Sequence, residues 1–143
     1  MRAVLDTNVI MDALQERTPF DADAKEILRR AQNQEFVCLF TANAATDIFY
    51  LYSRARDVQS AEAALEFLLD CYEVLPVTHD DCKAALSLPI EDFEDALVVA
   101  CAGRAKADCI VTRDKEFLQV VSPVELVSSV DFISRVGNKH AYS

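Results

Sequence analysis

The sequence predicts an α/β domain: a three-layer sandwich with a mainly parallel central sheet of about five strands and helices on both faces. Three observations lead there. Short β-rich apolar runs alternate with helix-length amphipathic segments, so successive strands need crossover connections rather than tight hairpins. The composition is globular, with 52% hydrophobic and 27% charged residues and only two Gly and four Pro. A chain of 143 residues buries roughly 70% of the surface its unfolded form exposes, enough for one core and one domain spanning residues 1–143. The last few residues are expected to form a tail.

Met1 to Leu5 is a short apolar run that stops at Asp6-Thr7-Asn8, the pattern of a buried strand followed by a helix cap. Val9, Ile10 and Leu14 then recur at helical spacing, and Thr18-Pro19 breaks the pattern. Asp21 to Gln34 reads as a second helix with Ala24, Ile27, Leu28 and Ala31 on one face. Phe36 to Phe40 reads as a second strand. Ala42 to Arg56 is predicted helical and rich in aromatics, and Ser60 to Cys71 helical with Ala61, Ala64, Leu65 and Leu68 as its stripe.

Glu73 to Val77 is the third strand and Asp80 to Leu86 a short helix before Pro89. Asp92 to Lys106 follows as a helix with Asp92 as N-cap, then Cys109 to Thr112 as the fourth strand and Val124 to Val127 as a short fifth. No linker, internal repeat or low-complexity stretch interrupts this order.

The charge balance limits function. With 24 Asp and Glu against 14 Lys and Arg, the net charge is -10, which disfavours a broad basic surface for holding nucleic acid. The five cysteines, Cys38, Cys71, Cys82, Cys101 and Cys109, are odd in number, include no CxxC pair, and have only His79 and His140 for zinc-binding company. A disulfide framework and a zinc knuckle are both disfavoured. The longest apolar run, Ala96 to Ala102, is far shorter than a membrane span, and Asp6 interrupts the start too early for a signal peptide. A reducing, cytoplasmic location is expected.

Ligands of open parallel sheets bind beyond the carboxyl ends of the strands, so the polar residues just after strands are the ones to question. Asp6 and Asp114 both stand there, and each could equally cap a helix or start a turn. Glu91-Asp92-Phe93-Glu94-Asp95 places four carboxylates at the opening of an otherwise apolar helix. The helix dipole and a capping box account for some of them but not readily for all. Asp92 and Asp95 can share a helical face, where like charges are unfavourable unless a cation lies between them. Asp47 is a carboxylate among apolar neighbours, which implies pairing, hydrogen bonding or metal binding. Helical spacing sets Asp47, Leu51 and Arg54 on one side. Oxygen donors from separate chain segments suit Mg²⁺ or Mn²⁺.

Leu5-Asp6-Thr7-Asn8-Val9, Thr46-Asp47-Ile48-Phe49-Tyr50, Asp92-Phe93-Glu94-Asp95-Ala96 and Val111-Thr112-Arg113-Asp114, taken in order, resemble the signature of PIN-domain ribonucleases. The likeness runs on to Ser122-Pro123-Val124-Glu125-Leu126. It implies a PIN-like fold and a metal-dependent endoribonuclease whose Mg²⁺ or Mn²⁺ ligands are Asp6, Asp95 and Asp114, with Asp47 standing where many members carry Glu. Asp47 is shorter by one methylene, which leaves open whether it binds directly or through water. Asp92 would be an auxiliary carboxylate or the helix cap, the cap being preferred, and Thr7, Asn8 and Thr112 would orient the ligands or a water. Hydrolysis activated by the metal would leave a 5′-phosphate and a 3′-hydroxyl without a covalent enzyme intermediate. Arg113 and Arg54 are the candidate RNA contacts, followed by Arg56 and Lys115. For each except Arg113, solvated surface charge is the plainer reading.

Many small members of such families resemble toxins of bacterial toxin–antitoxin pairs, so a small antitoxin partner and a homodimer are further expectations, and others act in RNA maturation. Phe49, Tyr50 and Tyr52 could supply an interface, although aromatics at such spacing are more often core. The acidic excess beyond the site is a reason to expect a basic partner. An inactive PIN-like module that binds RNA or protein is the alternative. A haloacid-dehalogenase-type phosphatase is disfavoured because Asn8 stands where its second aspartate belongs. A response-regulator receiver is disfavoured because Pro76, Val77 and Thr78 follow the third strand.

Overall fold

The computed structural model describes residues 1–141; residues 142 and 143, part of the tail expected at the chain's end, lie outside the described residues. The elements follow in the order β1 (Arg2–Leu5), α1 (Thr7–Leu14), α2 (Asp21–Gln32), β2 (Val37–Thr41), α3 (Ala42–Ala55), α4 (Val58–Cys71), β3 (Glu73–Leu75), α5 (His79–Leu86), α6 (Phe93–Arg104), β4 (Cys109–Val111), a 3₁₀ turn (Phe117–Gln119), β5 (Glu125–Val127) and α7 (Ser129–Ala141). The five strands form one sheet in the order β3-β2-β1-β4-β5, and every neighbouring pair is parallel. The α/β class read from the sequence is the class observed.

Residues alternate between the two faces of each strand, and that alternation builds two cores. Ala3 and Leu5 of β1, Cys38 and Phe40 of β2, and Cys109 and Val111 of β4 face α1, α2, α3 and α7, packing with Ile10, Ile27, Ile48 and Phe132. Val4, Leu39 and Ile110 face the other way, onto α6 and α5 through Leu97, Val98, Cys101 and Ala85, with Phe117 of the 3₁₀ turn. Val4, Leu39 and Ile110 are completely buried, each burial of this kind being worth about 1.5–3 kcal/mol. This double coverage holds the central strands rigidly and fixes where their carboxyl ends point.

Boundaries shift where a cap or a proline acts. α4 starts before Ser60 because Asp57 caps it, its side chain accepting the Ser60 amide at 2.6 Å. β3 ends at Leu75, before Pro76, which has no amide proton to offer a ladder. α7 is not announced by the sequence pattern; its buried stripe is short, and Phe132 packs edge-on against Phe36 with ring centroids 4.8 Å apart. All five cysteines are free. Among the described residues no helix is long and apolar enough to cross a membrane.

One ion pair fastens the helices behind β3 and β4. Asp81 on α5 is buried and accepts two bonds from Arg104 Nε, at 2.8 and 3.1 Å, while Arg104 Nη2 donates to the Pro76 carbonyl at 2.6 Å. Asp81 also completes a capping box with Thr78. Arg104 above all holds the Asp81 carboxyl down to about 2. A carboxylate whose folded pKa lies below its unfolded value stabilises the fold above the unfolded pKa, and that contribution fades as pH falls toward the folded value. Asp81→Asn is therefore expected to destabilise the protein by about 1.5–3 kcal/mol at neutral pH, in denaturant melts followed by circular dichroism. The gap to wild type should close as pH falls from about 4 toward about 2. A gap independent of pH across that window would contradict this role.

Candidate active site

The strand order reverses at the centre of the sheet: from β1 the chain builds outward through β2 and β3, then returns to build β4 and β5 on the other side. Connections diverging from such a point leave a crevice beyond the carboxyl ends of the two central strands. Asp6 follows β1 and Thr112-Arg113-Asp114 follows β4, so the reversal sets these two acidic segments side by side. The Asp6 amide donates to the Val111 carbonyl at 2.9 Å, which extends the strand pairing into the site residue itself.

Side-chain bonds then fix the carboxylates. Asp6 caps α1, its Oδ1 accepting the Thr7 amide at 2.9 Å, while Oδ2 accepts the Thr112 hydroxyl at 2.9 Å. Thr112 is fully buried. Its Oγ1 accepts the Asp114 amide at 3.1 Å and Asn8 Nδ2 at 3.4 Å, so one hydroxyl ties the two strand exits together. Asp114 Oδ1 accepts the amides of Glu116 and Phe117 at 2.9 and 3.4 Å, which starts the 3₁₀ turn. Asp92 is the N-cap of α6 and accepts the Asp95 amide at 3.1 Å. Asp95 stands in the first turn of that helix and Asp47 within α3.

These groups meet in a cleft of about 390 Å³ lined by Asp6, Asp47, Asp92, Glu94, Asp95 and Asp114, with Thr7, Asn8, Met11, Tyr50 and Leu51, and with Arg17 as the one lining cation among the described residues. The charge imbalance is felt by the carboxyls. Burial first, then the charges of Asp92, Asp6 and Asp114, push Asp95 up to about 7. Burial also raises Asp6, against the opposing hydrogen bonds from Thr112 and Thr7, and the charges of Asp114 and Asp92 add to the rise. Glu94 is pushed up to about 7, first through a hydrogen bond with the Asp47 side chain and then by burial and the Asp47 charge. Each shift has the same sense: this cleft favours protons or cations.

The donors are all oxygen, which fits a hard divalent ion. Among the described residues, no three His, Cys, Asp or Glu side chains draw together tightly enough to hold a metal ion as they stand; the carboxylates face the cleft from separate elements. That arrangement still fits Mg²⁺ or Mn²⁺, because such ions keep several waters and need only one or two protein carboxylates beside a phosphate.

The expected RNA contacts lie elsewhere in the fold than the cleft lining. Arg113 directs Nε and Nη2 at Asp12, at 2.6 and 2.9 Å, and lies over the Phe20 ring at 4.3 Å. Arg54 donates to the Tyr50 hydroxyl at 2.8 Å and lies over that ring. Of the face shared by Asp47, Leu51 and Arg54, Asp47 and Leu51 line the cleft. Three participants were not singled out from sequence. Glu94 was visible within the acidic run that opens α6. Asp12 carried a signal as the one charge in Val9-Ile10-Met11-Asp12-Ala13-Leu14, and it is buried at 1% exposure. Arg17 carried none, because its place depends on the turn after α1, where Glu16 adopts a left-handed φ of 51°.

Residues 2–116 match the family described as PIN domain. Ribonuclease VapC1 from Aquifex aeolicus (strain VF5) is 24% identical over 140 residues, which cover 94% of each chain. Among solved structures, VapBC2 from Rickettsia felis bound to a DNA fragment from its promoter superposes with a TM-score of 0.68 at 17% identity, over 90% of this chain and 98% of that one. Mycobacterium tuberculosis VapC20, a sarcin-ricin loop cleaving toxin, gives a TM-score of 0.67 at 18% identity, over 83% of this chain and 96% of that one. At such identities these structures speak for the fold, and the family match covers both central strands together with every carboxylate of the cleft. The chain belongs to the PIN-domain family.

Proposed function

We propose that this protein is a metal-dependent endoribonuclease that hydrolyses RNA phosphodiester bonds, acting as the toxin of a toxin–antitoxin pair. The observation that carries the reading is the cleft in which six acidic side chains face a single arginine at the strand-order reversal. Such a site repels a bare phosphate and accepts one with a divalent ion beside it. The similarity to Ribonuclease VapC1 supports RNA as substrate. Solved neighbours that are toxin–antitoxin complexes support a small protein partner, and the net charge of -10 favours a basic one.

In this reading Asp6, Asp95 and Asp114 would hold Mg²⁺ or Mn²⁺, with Asp47 assisting, and the ion would supply Lewis acidity for water activation and positive charge beside the phosphate. The chain's own residues do the positioning. Thr112 gives its only hydroxyl proton to Asp6 Oδ2, which aims the remaining Asp6 lone pairs into the cleft. Asn8 Nδ2 donates to that hydroxyl at 3.4 Å and its Oδ1 accepts the Arg113 amide at 3.5 Å, a second link between the start of α1 and the exit of β4. The Asp92 cap fixes the first turn of α6 and so the place of Asp95. With water as nucleophile, the phosphorus–O3′ bond breaks, leaving a 3′-hydroxyl and a 5′-phosphate, and no side chain is required as a covalent intermediate.

Asp6→Asn and Asp95→Asn are each expected to reduce single-turnover RNA cleavage in Mg²⁺ or Mn²⁺ by at least ~100-fold, with the circular dichroism spectrum unchanged. Thr112→Val should reduce it by about 10–100-fold, the usual scale for losing a ligand's outer partner. Cleavage that survives both aspartate changes would overturn the site, and no cleavage or ion binding by the native chain would favour the inactive module.

Stability should also register the crowded carboxyls. Acids whose folded pKa is raised favour folding in acid, and that contribution is lost as pH rises from about 4 through about 7. The thermal midpoint without divalent ions is therefore expected to fall across this window, and to fall less in Asp95→Asn. Mn²⁺ should raise the midpoint more at about pH 8 than at about pH 5.5, where protons already occupy the site. Equal shifts at both pH values would contradict the assignment.

A further inference from the structure

Two further cavities adjoin the carboxylate cleft, and they differ in charge. One, of about 510 Å³, shares Asp92, Asp95 and Asp114 with the cleft and adds Glu91 and Glu116; among the described residues its lining brings no cation. The other, of about 530 Å³, shares Arg17 with the cleft and adds Leu14, Gln15, Tyr52 and Arg56, with Glu16 as the one acidic group among the described residues of its lining against two arginines. It continues the seam where α1 packs on α3: Asn8 and Met11 give way to Leu14 and Arg17 along one side, and Asp47 and Leu51 to Tyr52 and Arg56 along the other. From Asp47 to Arg56 the seam runs roughly 13 Å at the rise of an α-helix.

Arg17 is held in a way that leaves its charge available. Both Asp12 oxygens already accept short bonds from Arg113, at 2.6 and 2.9 Å. Arg17 Nη1 stands 3.8 Å from Asp12 Oδ1, beyond hydrogen-bond length, and Nε donates to Gln15 at 2.8 Å. Its Nη donors can therefore turn to a phosphate without breaking the buried Asp12–Arg113 pair. The Arg113 guanidinium, the stronger sequence candidate for RNA contact, thus frees Arg17 for that task.

Resting on the ribonuclease reading, we propose that the cavity of Arg17, Tyr52 and Arg56 is the subsite for single-stranded RNA flanking the cut. The two arginines contact phosphates next to the scissile one, and Tyr52 supplies aromatic surface for an unstacked base. The strand leaves the cleft on this side because two arginines here outweigh Glu16, whereas the other cavity presents Glu91 and Glu116 to its phosphates.

The test uses the full chain carrying Asp6→Asn, a host in which RNA is bound without being cut, and a labelled single-stranded RNA oligonucleotide that the wild type cleaves. Arg17→Gln and Arg56→Gln are each expected to weaken binding ~10-fold and to lower the slope of log affinity against log salt by about 0.7, the share of one phosphate contact on a single strand. Arg17→Lys should keep the slope, which a merely structural role for Arg17 does not require. Arg135→Gln, which removes the partner of Glu125 at the amino end of β5, should change neither quantity. In the cleaving enzyme, Arg17→Gln should raise KM more than it lowers kcat.

If the wild type cuts this RNA while both glutamine variants keep the parent's affinity and salt slope, the subsite is overturned and the ribonuclease reading stands. Equal affinity for duplex RNA of the same sequence overturns the single-strand assignment. If the wild type neither binds nor cuts RNA, the ribonuclease reading fails and the subsite fails with it.

Discussion

The Thr112 hydroxyl has one proton to give, and in this fold it goes to Asp6 Oδ2 while the lone pairs of the same oxygen receive the Asp114 amide and Asn8. The placing of Asp6 and Asp114 depends on that buried junction. It joins the exits of β1 and β4, the two strands between which the sheet order reverses, and it does so where water cannot replace a lost bond. The sheet makes the junction reachable: the parallel pairing of Leu5 with Val111 and the bond from the Asp6 amide to Val111 bring the two exits level. The two hydrophobic cores on either side keep the strands from sliding out of that register.

Crowding carboxylates in a partly buried cleft is unfavourable, and the raised Asp6, Glu94 and Asp95 express that cost. The protein treats two of its acidic groups differently. Asp12 is buried and satisfied by Arg113, and Asp81 is buried and satisfied by Arg104, so both are structural pairs. Among the described residues, the cleft carboxylates share only Arg17 on their wall. That contrast separates an acidic group that builds the fold from one left for a ligand, and it is why a net charge of -10 is compatible with a nucleic-acid substrate in the proposed function.

Much of the architecture was legible in the sequence because each signal was local. The strand-ending dipeptides at Leu5-Asp6 and Val111-Thr112, the Asp92 cap and the stripes of α2 and α4 depend on residues within a turn or two of one another. The acids following strands could be singled out for the same reason, since a parallel sheet carries its ligands at that end. What failed to show was set by long-range contact. Arg113 looks like a free cation beside Asp114, yet its partner Asp12 is a whole sheet crossing away in sequence. Arg17 reaches the cleft through a turn whose left-handed residue is a glutamate rather than the glycine that would advertise it. α7 is held by Phe36 and α2, contacts that its own spacing cannot reveal.

In the proposed function Thr112 poises Asp6 and Asp114 to take a divalent ion. Calorimetric titration of Mn²⁺ into the full chain near neutral pH, for the wild type, Thr112→Val and Asp6→Asn, decides whether it does. Saturable binding by the wild type is expected, and it is weakened about 10–100-fold in Thr112→Val and also weakened in Asp6→Asn. No binding by the wild type, or equal affinity in all three proteins, would contradict it.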